Sequence, residues 1–206
     1  MARRGDKLRE HILSTAKDVF LEMGFERTSM DVVASRAETS KRSLYAHFAS
    51  KEKLFLAVIE MVRGLFLSRV GEPGDYSDKP AEAVAKFCGR YLEVLLYEKQ
   101  IRMIRVSTAE AEVLPRQASE YFDVLFTEVH VRLSAYLKTA FALSARTSAE
   151  AAQRLLGQVL YPGFQRALFG MDKLAKSFDL DTLSPDFDLK PIRKAVADLI
   201  ESLPRH

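Results

Sequence analysis

The chain of 206 residues is 48% hydrophobic and carries a formal net charge of +3 at pH 7, an excess that lies wholly in residues 1–53, where 11 Lys and Arg face 8 Asp and Glu. Its single cysteine excludes a disulfide framework and a cysteine metal site, and no apolar run approaches the roughly 18–20 residues of a membrane span. Because the N-terminus is charged and lacks an apolar signal region, we expect a cytoplasmic protein, built as one compact unit or two small domains.

The first predicted element is an amphipathic helix. Apolar residues recur every three or four positions from Leu8 to Met23, which is typical of a helix with one buried face. Gly24 is its predicted left-handed end. The residues before this helix, Met1–Asp6, are interpreted as a basic polar arm.

Two short helices follow, each opened by a serine that can accept a hydrogen bond from an unpaired helix N–H. Ser29 precedes a helix of about eight residues, and Ser40 precedes a second one that buries Leu44 and Phe48. The outward positions of this second helix carry side chains that suit phosphates and base edges, as in a recognition helix of the DNA major groove. They are Lys41, Arg42, Ser43, Tyr45 and His47.

A longer helix, expected at about 51–69, is apolar on two faces. One face carries Leu54, Val58, Met61 and Leu65, and the other carries Phe55, Ile59, Val62 and Phe66. A helix of this kind is buried on two sides, so we expect it to link the preceding helices to the rest of the chain.

Residues 8–62 resemble the N-terminal domain of the TetR family of bacterial transcriptional regulators. The matching positions are Ala16, Phe20, Gly24-Phe25, Thr28-Ser29, Val33-Ala34, Ser40-Lys41, Leu44-Tyr45, His47-Phe48, Ser50-Lys51-Glu52 and Leu54-Phe55. The family usually has Gly where Glu38 stands and a small apolar residue at Thr39, so the turn is expected to form without glycine's left-handed freedom. Arg42 also stands at a position where the family often has a small residue.

The resemblance implies a three-helix DNA-binding domain in residues 1–53 that binds a palindromic operator in double-stranded DNA as a homodimer. The residues expected to contact DNA are Ser29, Lys41, Arg42, Ser43, Tyr45, His47, Lys51 and Lys53. Arg42 is the candidate for reading a guanine edge, whereas Tyr45 and His47 match family positions on the sugar-phosphate backbone. Lys51 and Lys53 lie in a first helical turn, where a cation is unfavourable unless an anion is nearby.

The remainder, residues 70–206, is also predicted to be helical, with no strand pattern or internal repeat. The first of its helices opens at Pro80 after a loop at Gly71–Lys79, and Pro162-Gly163 interrupts a later one. Two further helices are predicted at about 101–113 and 116–143. A capping box at Thr147–Glu150 opens the helix that Pro162-Gly163 interrupts, and Gly170 ends it. A final helix begins at Pro191 after an irregular connection at 171–190.

Residues 101–170 further resemble the C-terminal domain of the AefR-like class within the same family. The matching residues are Arg105, Glu110-Ala111-Glu112, Pro115, Tyr136-Leu137, Ala151-Ala152, Gly157 and Ala167-Leu168-Phe169-Gly170. The resemblance implies that the last two long helices, about 148–169 and 191–203, form the dimer interface. Its candidate residues are Leu156, Leu160, Phe164, Leu168, Val196, Leu199 and Ile200.

The C-terminal half also has the residues for an apolar ligand pocket, in keeping with the ligand-binding bundle that the resemblance implies. The candidates are Phe87, Cys88, Tyr91, Met103, Val106, Phe122, Phe126, Tyr161 and Phe164. Taken one by one, each of them is more simply explained as plain core. Cys88 is a conceivable redox sensor, but a cysteine among apolar neighbours is usually inert.

The expected function is a ligand-responsive transcriptional regulator, a repressor by family habit, released from its operator by a small, largely apolar effector. An enzyme is disfavoured because the four histidines are scattered and no Ser-His-Asp, H-E-x-x-H or glycine-rich phosphate motif is present. No catalytic residue, metal, cofactor or membrane partner is therefore predicted. The alternative is a helical protein that binds a partner or small molecule without binding an operator.

Overall fold

The structure is a computed structural model that describes residues 4–203. Within these residues it is helical, with one isolated β-bridge between Tyr97 and Ala175, as the predicted all-α fold class requires. The helices are α1 (Arg4–Arg27), α2 (Met30–Arg36), α3 (Lys41–His47), α4 (Lys51–Val70), α5 (Pro80–Leu95), α6 (Glu98–Ala109), α7 (Pro115–Phe122), α8 (Glu128–Ala140), α9 (Ala145–Leu160), α10 (Gly163–Leu168) and α11 (Lys190–Glu201).

Serine side chains cap four of these helices, and one of the four is Ser50, whose Oγ accepts from Lys53 N at the start of α4. Ser29 Oγ accepts from Val32 N at 3.3 Å, and Ser40 Oγ accepts from Ser43 N at 3.0 Å, which confirms both predicted N-caps. The fourth cap was missed, because Ser144 Oγ accepts from the backbone N–H of Thr147 at 3.1 Å. The predicted capping box at Thr147–Glu150 is therefore wrong: α9 begins at Ala145, and Thr147 already lies in its first turn.

The N-terminal helix departs from the prediction at both ends. Gly24 has φ 77° and ψ 172°, so its φ is positive as predicted, but its ψ lies in a region open essentially to glycine alone and far from a left-handed cap. The helical pattern then continues to Arg27. At the other end, α1 begins at Arg4, so the last residues of the expected arm are helical, and Met1–Arg3 lie outside the described residues.

The predicted helix 116–143 is interrupted by a π-helical turn. Helix α7 ends at Phe122, the turn occupies Asp123–Thr127, and α8 follows without a loop. A π-turn adds one residue to the α-helical ladder. The side chains on either side of it therefore face a direction that a plain 3.6-residue period does not predict.

One compact unit comprises the chain up to Leu65 together with Arg102–Tyr121. Its centre contains Phe20, Phe25 and Phe55, with ring centroids 4.9–6.0 Å apart. Leu44 and Phe48 of α3 are buried as predicted. The sequence division assigned residues 102–121 to the C-terminal domain, whereas the structure groups them with the N-terminal helices.

The second compact unit comprises Phe66–Ile101 and the chain from Phe122 onward. Helix α5 lies at its centre, with nearly every residue from Ala83 to Leu95 buried. Helix α8 packs along α9, and α11 packs on both α5 and α9. The irregular connection predicted at 171–190 is confirmed as far as Leu189, and we call residues 171–189 the connecting loop.

Helix α4 is apolar on two faces, but the two faces differ in burial. Leu54, Phe55, Val58 and Ile59 are buried, whereas Leu65 is exposed and Met61 is half-buried. The prediction of a helix buried on two sides therefore holds for its N-terminal half. Its last five residues, from Phe66, belong to the second compact unit.

The turn between α2 and α3 is a Schellman motif in which glutamate takes the usual glycine position. Thr39 N donates to Ala34 O at 3.0 Å and Glu38 N donates to Ser35 O at 3.2 Å, the paired bonds of that motif. Glu38 has φ 49°. The turn therefore forms without glycine's freedom, as expected, and Glu38 itself adopts the left-handed conformation that the motif requires.

We expect Glu38→Gly to raise the free energy of unfolding by about 0.5–1 kcal/mol, because it relieves a left-handed residue that carries a Cβ. Urea unfolding followed by circular dichroism measures the change. Glu38→Ala is the control for loss of the charge and should bring no gain. A stabilisation by alanine as large as that by glycine would attribute the effect to charge instead of backbone conformation.

Candidate nucleic-acid interface and apolar cavity

Helix α3 presents its first turn to the exterior of the first unit. Lys41 and Arg42 are exposed there, Tyr45 is 50% exposed, and Leu44 points inward with no exposure. Within residues 4–203, the guanidinium of Arg42 makes no hydrogen bond or ion pair. A guanidinium in this state can donate its fork of N–H groups to an outside acceptor without first breaking a contact.

Other predicted DNA contacts in α3 have partners inside the protein. Lys41 Nζ lies 2.6 Å from Asp31 Oδ2 on α2, an exposed pair whose net contribution is about 0–1 kcal/mol. Such a pair can exchange for a phosphate at little cost. Ser43 Oγ lies 2.9 Å from Ser40 Oγ, so its hydroxyl belongs to the cap of α3 as well as to the outward surface.

Lys51 has a structural partner that the sequence did not indicate. Its Nζ donates to the carbonyl oxygens of Phe25 and Glu26 at 2.9 and 3.3 Å and lies 4.2 Å from the centroid of the Phe25 ring. These contacts explain a lysine in the first turn of α4 without an anion. Lys51 as a phosphate contact remains a prediction, with one N–H of its ammonium left for an outside acceptor.

The remaining candidates lie on the outer surface of the same unit. Ser29 and Lys53 are exposed, and His47 is half-buried with its ring centroid 6.3 Å from that of Phe48. Ser50 Oγ accepts from Lys53 N at 3.3 Å. Together with Arg42, these residues give the unit the hydroxyl and cationic groups that phosphate binding requires.

The second unit contains an apolar cavity of about 360 Å³ that is open to the exterior. Helices α5, α7, α8 and α9 and the π-turn contribute its walls. Its lining residues are Tyr91, Phe122, Phe126, Thr127, His130, Gln153, Leu156, Gly157 and Leu160. The volume lies within the range of small-molecule sites, roughly 300–1,000 Å³.

The structure separates the nine predicted pocket residues into groups. Tyr91, Phe122 and Phe126 line the cavity. Phe87 and Cys88 are fully buried in α5 as core, Phe164 is buried and packs its ring against Phe126 at 5.6 Å, and Tyr161 is 71% exposed. Met103 and Val106 belong to the first compact unit.

Burial also decides the chemistry of the lone thiol, because it raises the pKa of Cys88 to about 12. We therefore expect no reaction of the native protein with iodoacetamide at neutral pH, and one alkylation per chain after unfolding in guanidinium. Mass spectrometry measures both. Rapid alkylation of the folded protein would show that the thiol is accessible and would restore a redox role.

The predicted dimer-interface residues are largely used within one chain. Val196 and Leu199 on α11 are buried, and Phe164 is buried on α10. Leu156 and Leu160 line the cavity. Leu160, Leu168 and Ile200 keep partial exposure, and the neighbouring Phe169 is 84% exposed, so these are the residues that a partner could still cover.

Arg90 is the most consequential residue that the sequence analysis missed. Its guanidinium is fully buried and donates to Glu93 Oε2 at 2.9 Å and to Arg69 O at 2.9 Å. It also donates to three carbonyl oxygens of the connecting loop, those of Asp179, Leu180 and Thr182, each at 2.7 Å. An arginine within an apolar stripe was the available signal, because a charge there needs buried partners.

Two classes of site are not found in the described part of the chain. None of its helices combines the length and the apolar character needed to cross a bilayer. Residues 4–203 also contain no cluster of three or more His, Cys, Asp or Glu placed to hold a metal ion.

Two family profiles match the sequence in tandem. The profile described as "Bacterial regulatory proteins, tetR family" matches residues 12–58, and that of the "AefR-like transcriptional repressor, C-terminal domain" matches residues 82–182. The first match covers α2, α3 and their capped turns. The second covers α5 to α10 and most of the connecting loop.

Curated relatives match over the N-terminal segment. The transcriptional activator FasR of Mycolicibacterium smegmatis is 43% identical over 63 residues, which are 28% of this chain and 29% of FasR. The transcriptional repressor NicS of Pseudomonas putida is 35% identical over 65 residues, 32% of this chain and 31% of NicS. The match therefore spans less than a third of each relative.

Solved structures match over nearly the whole chain. A protein described as a TetR-family transcriptional regulator from Mesorhizobium loti aligns over 97% of this chain and 98% of its own, with a TM-score of 0.74 and 19% identity, which shows a common fold. The flavonoid-responsive regulator FrrA aligns over 95% and 94%, with a TM-score of 0.70 and 25% identity. From its tandem profiles and its fold, the chain belongs to the TetR family of bacterial transcriptional regulators, a family of helix-turn-helix DNA-binding proteins and not of enzymes.

Proposed function

We propose that this protein is a repressor that binds a palindromic operator as a homodimer and leaves it when a small, largely apolar effector binds the second unit. The observation that carries the DNA-binding half is the exposed first turn of α3. Arg42 there is free of partners within the described residues, and Leu44 anchors the helix from its inner face. The first turn of α3 is thus held in place by the buried Leu44 and presents a guanidinium that is available to DNA.

Two copies of this turn are needed for a specific site, because one helix reads only a few base pairs. Successive major grooves on one side of DNA lie about 34 Å apart, and a dimer places its recognition helices at that spacing or a longer one. Leu160, Leu168, Ile200 and Phe169 are the apolar residues we assign to the dimer surface. Burial of exposed Phe169 is the main gain from association.

The repressor assignment is supported by the description of the matching C-terminal profile as that of a repressor. NicS is likewise named a repressor, whereas FasR is named an activator. The ligand response is supported by the apolar cavity, and FrrA is a structural neighbour that responds to flavonoids.

Selection of bound duplexes from a random pool tests the proposal. We expect the selected duplexes to contain a palindrome that is bound by two chains. Sedimentation of the protein–DNA complex measures its mass and therefore the number of chains bound. Affinity should fall by about 10³–10⁵ between roughly 50 and 200 mM salt if six to ten phosphates are contacted. A monomer in solution, or no enrichment of any duplex, would exclude this function.

The alternative function is binding of a partner or small molecule without an operator. The apolar cavity is as compatible with this alternative function as with the proposed repressor. It predicts that duplex selection yields nothing while ligands still shift the melting temperature, so the same two measurements separate the alternatives.

A further inference from the structure

We infer that Asp31 limits the affinity of this protein for DNA, because its carboxylate occupies the position beside Lys41 that a phosphate takes in the complex. The inference rests on the proposed operator binding and adds a residue that tunes it. It follows from the charges in the first turn of α3, from the contact between Lys41 and Asp31, and from the exposure of both side chains.

The first turn of α3 is positively charged. It carries Lys41 and Arg42 and contains no acidic residue. The N-cap fixes its backbone, since Ser40 Oγ accepts from Ser43 N at 3.0 Å. Both cations are exposed, so this turn attracts anions. An anion that the protein itself supplies therefore competes with the phosphates of DNA.

Asp31 supplies that anion. Its Oδ2 lies 2.6 Å from Lys41 Nζ, which makes the contact a charge-assisted hydrogen bond. Asp31 lies in the first turn of α2, two positions after Ser29, the residue that caps this helix. Because Ser29 is itself a candidate phosphate contact, the carboxylate lies on the surface that we assign to DNA.

A phosphate can reach Lys41 while Asp31 is still nearby. The side chains of Lys41 and Asp31 are 64% and 61% exposed, so the approach needs no movement of the backbone. A phosphate oxygen that accepts from Lys41 Nζ lies about 4–5 Å from the Asp31 carboxylate as long as both anions contact this nitrogen. Like charges at that distance repel each other, and water and salt screen the repulsion only in part. Binding of DNA therefore costs either the ion pair or this repulsion.

The contact between Asp31 and Lys41 is not required to hold α3 in place. The two backbone hydrogen bonds of the Schellman motif fix the turn between α2 and α3, and Leu44 anchors α3 from its buried face. An exposed ion pair adds little to such a framework. If Asp31 served only to position α3, its loss would weaken DNA binding. A carboxylate that competes with phosphate has the opposite effect, because its loss strengthens DNA binding.

A limit on DNA affinity suits a regulator that has to leave its operator. The coupling between an effector and a second ligand is typically about 5- to 150-fold, so an operator complex that is far too tight is not released. Phosphates are common to all duplexes. We therefore expect Asp31 to lower the affinity for operator and random DNA alike and to leave their ratio unchanged.

Gel-shift titrations of the full chain on the selected operator and on a scrambled duplex test the inference. At about 50 mM salt, Asp31→Asn should bind both duplexes about 3- to 10-fold more tightly for each chain bound. The gain should shrink as the salt is raised to about 300 mM, because it is electrostatic. Asp31→Glu keeps the carboxylate and should bind both duplexes like the wild-type protein.

Glu22→Gln is the matched control for net charge. Glu22 pairs with Arg36 of α2, so this substitution removes a carboxylate from another exposed ion pair of the same unit and leaves Lys41 unchanged. It should raise the DNA affinity by less than about 2-fold. In a Lys41→Met background, Asp31→Asn should gain less than in the wild-type protein, because no ammonium is released.

Three results would overturn the inference. They are DNA binding by Asp31→Asn that is unchanged or weaker, a gain no larger than that of Glu22→Gln, and a gain that persists undiminished at high salt. Each of them is measured against a wild-type protein that binds DNA. A wild-type protein that binds no duplex would instead overturn the proposed regulator, and the inference with it.

Discussion

Arg90→Met is expected to lower the free energy of unfolding by about 3–5 kcal/mol, the usual cost of breaking a buried ion pair from one side. The substitution leaves the carboxylate of Glu93, which is 8% exposed, without its cation. It also removes the donor for the Arg69 carbonyl and for three carbonyl oxygens of the connecting loop. Guanidinium unfolding measures the stability, and limited proteolysis should show earlier cleavage within residues 171–189.

An exposed ion pair between α11 and α5 provides the control. Arg193 on α11 donates two hydrogen bonds to Glu82 on α5, at 2.7 and 3.1 Å, but its side chain is about half exposed. Arg193→Met should cost far less than Arg90→Met, because water screens an exposed ion pair. If the two substitutions were equally destabilising, burial would not be the cause. Arg90→Met combined with Glu93→Met should recover part of the loss, because it also removes the unpaired carboxylate.

Arg42→Ala is expected to weaken binding to the selected operator about 5- to 150-fold, which corresponds to the 1–3 kcal/mol of one bidentate arginine–guanine contact. Binding to random DNA should fall much less, because non-specific affinity comes from phosphate contacts. Gel-shift titrations on operator and scrambled duplexes measure the ratio. The fold should be unaffected, since Arg42 is exposed and has no partner within residues 4–203.

Lys53→Ala is the matched variant for a phosphate contact. It should weaken operator and scrambled DNA alike and reduce the slope of log affinity against log salt by about 1. Lys51 is unsuitable for this purpose, because its loss would also remove the hydrogen bonds that its ammonium donates to the carbonyl oxygens of Phe25 and Glu26. Equal losses on both duplexes for Arg42→Ala would mean that Arg42 contacts phosphate and reads no base.

Local features of the sequence determined the helices and the DNA-binding unit. Serine caps at Ser29 and Ser40, the positive φ of Gly24 and the break at Pro162-Gly163 all act over a few neighbouring residues. Such signals can be recognised from the sequence because the groups that satisfy each other are close along the chain. The tandem resemblance to TetR-family domains was visible for the same reason, since it depends on ordered local motifs.

Only the tertiary structure decided which buried side chains have long-range partners. Arg90 meets carbonyl oxygens about ninety positions away, and Lys51 meets a helix end 25 residues earlier. The cavity is lined by residues of separate helices, so a helical period read along one element could not predict that His130 of α8 and Gln153 and Gly157 of α9 line it together. The physical reason is that helix caps and periodicity are set by neighbours in sequence, whereas burial and the pairing of buried polar groups depend on contacts between distant segments.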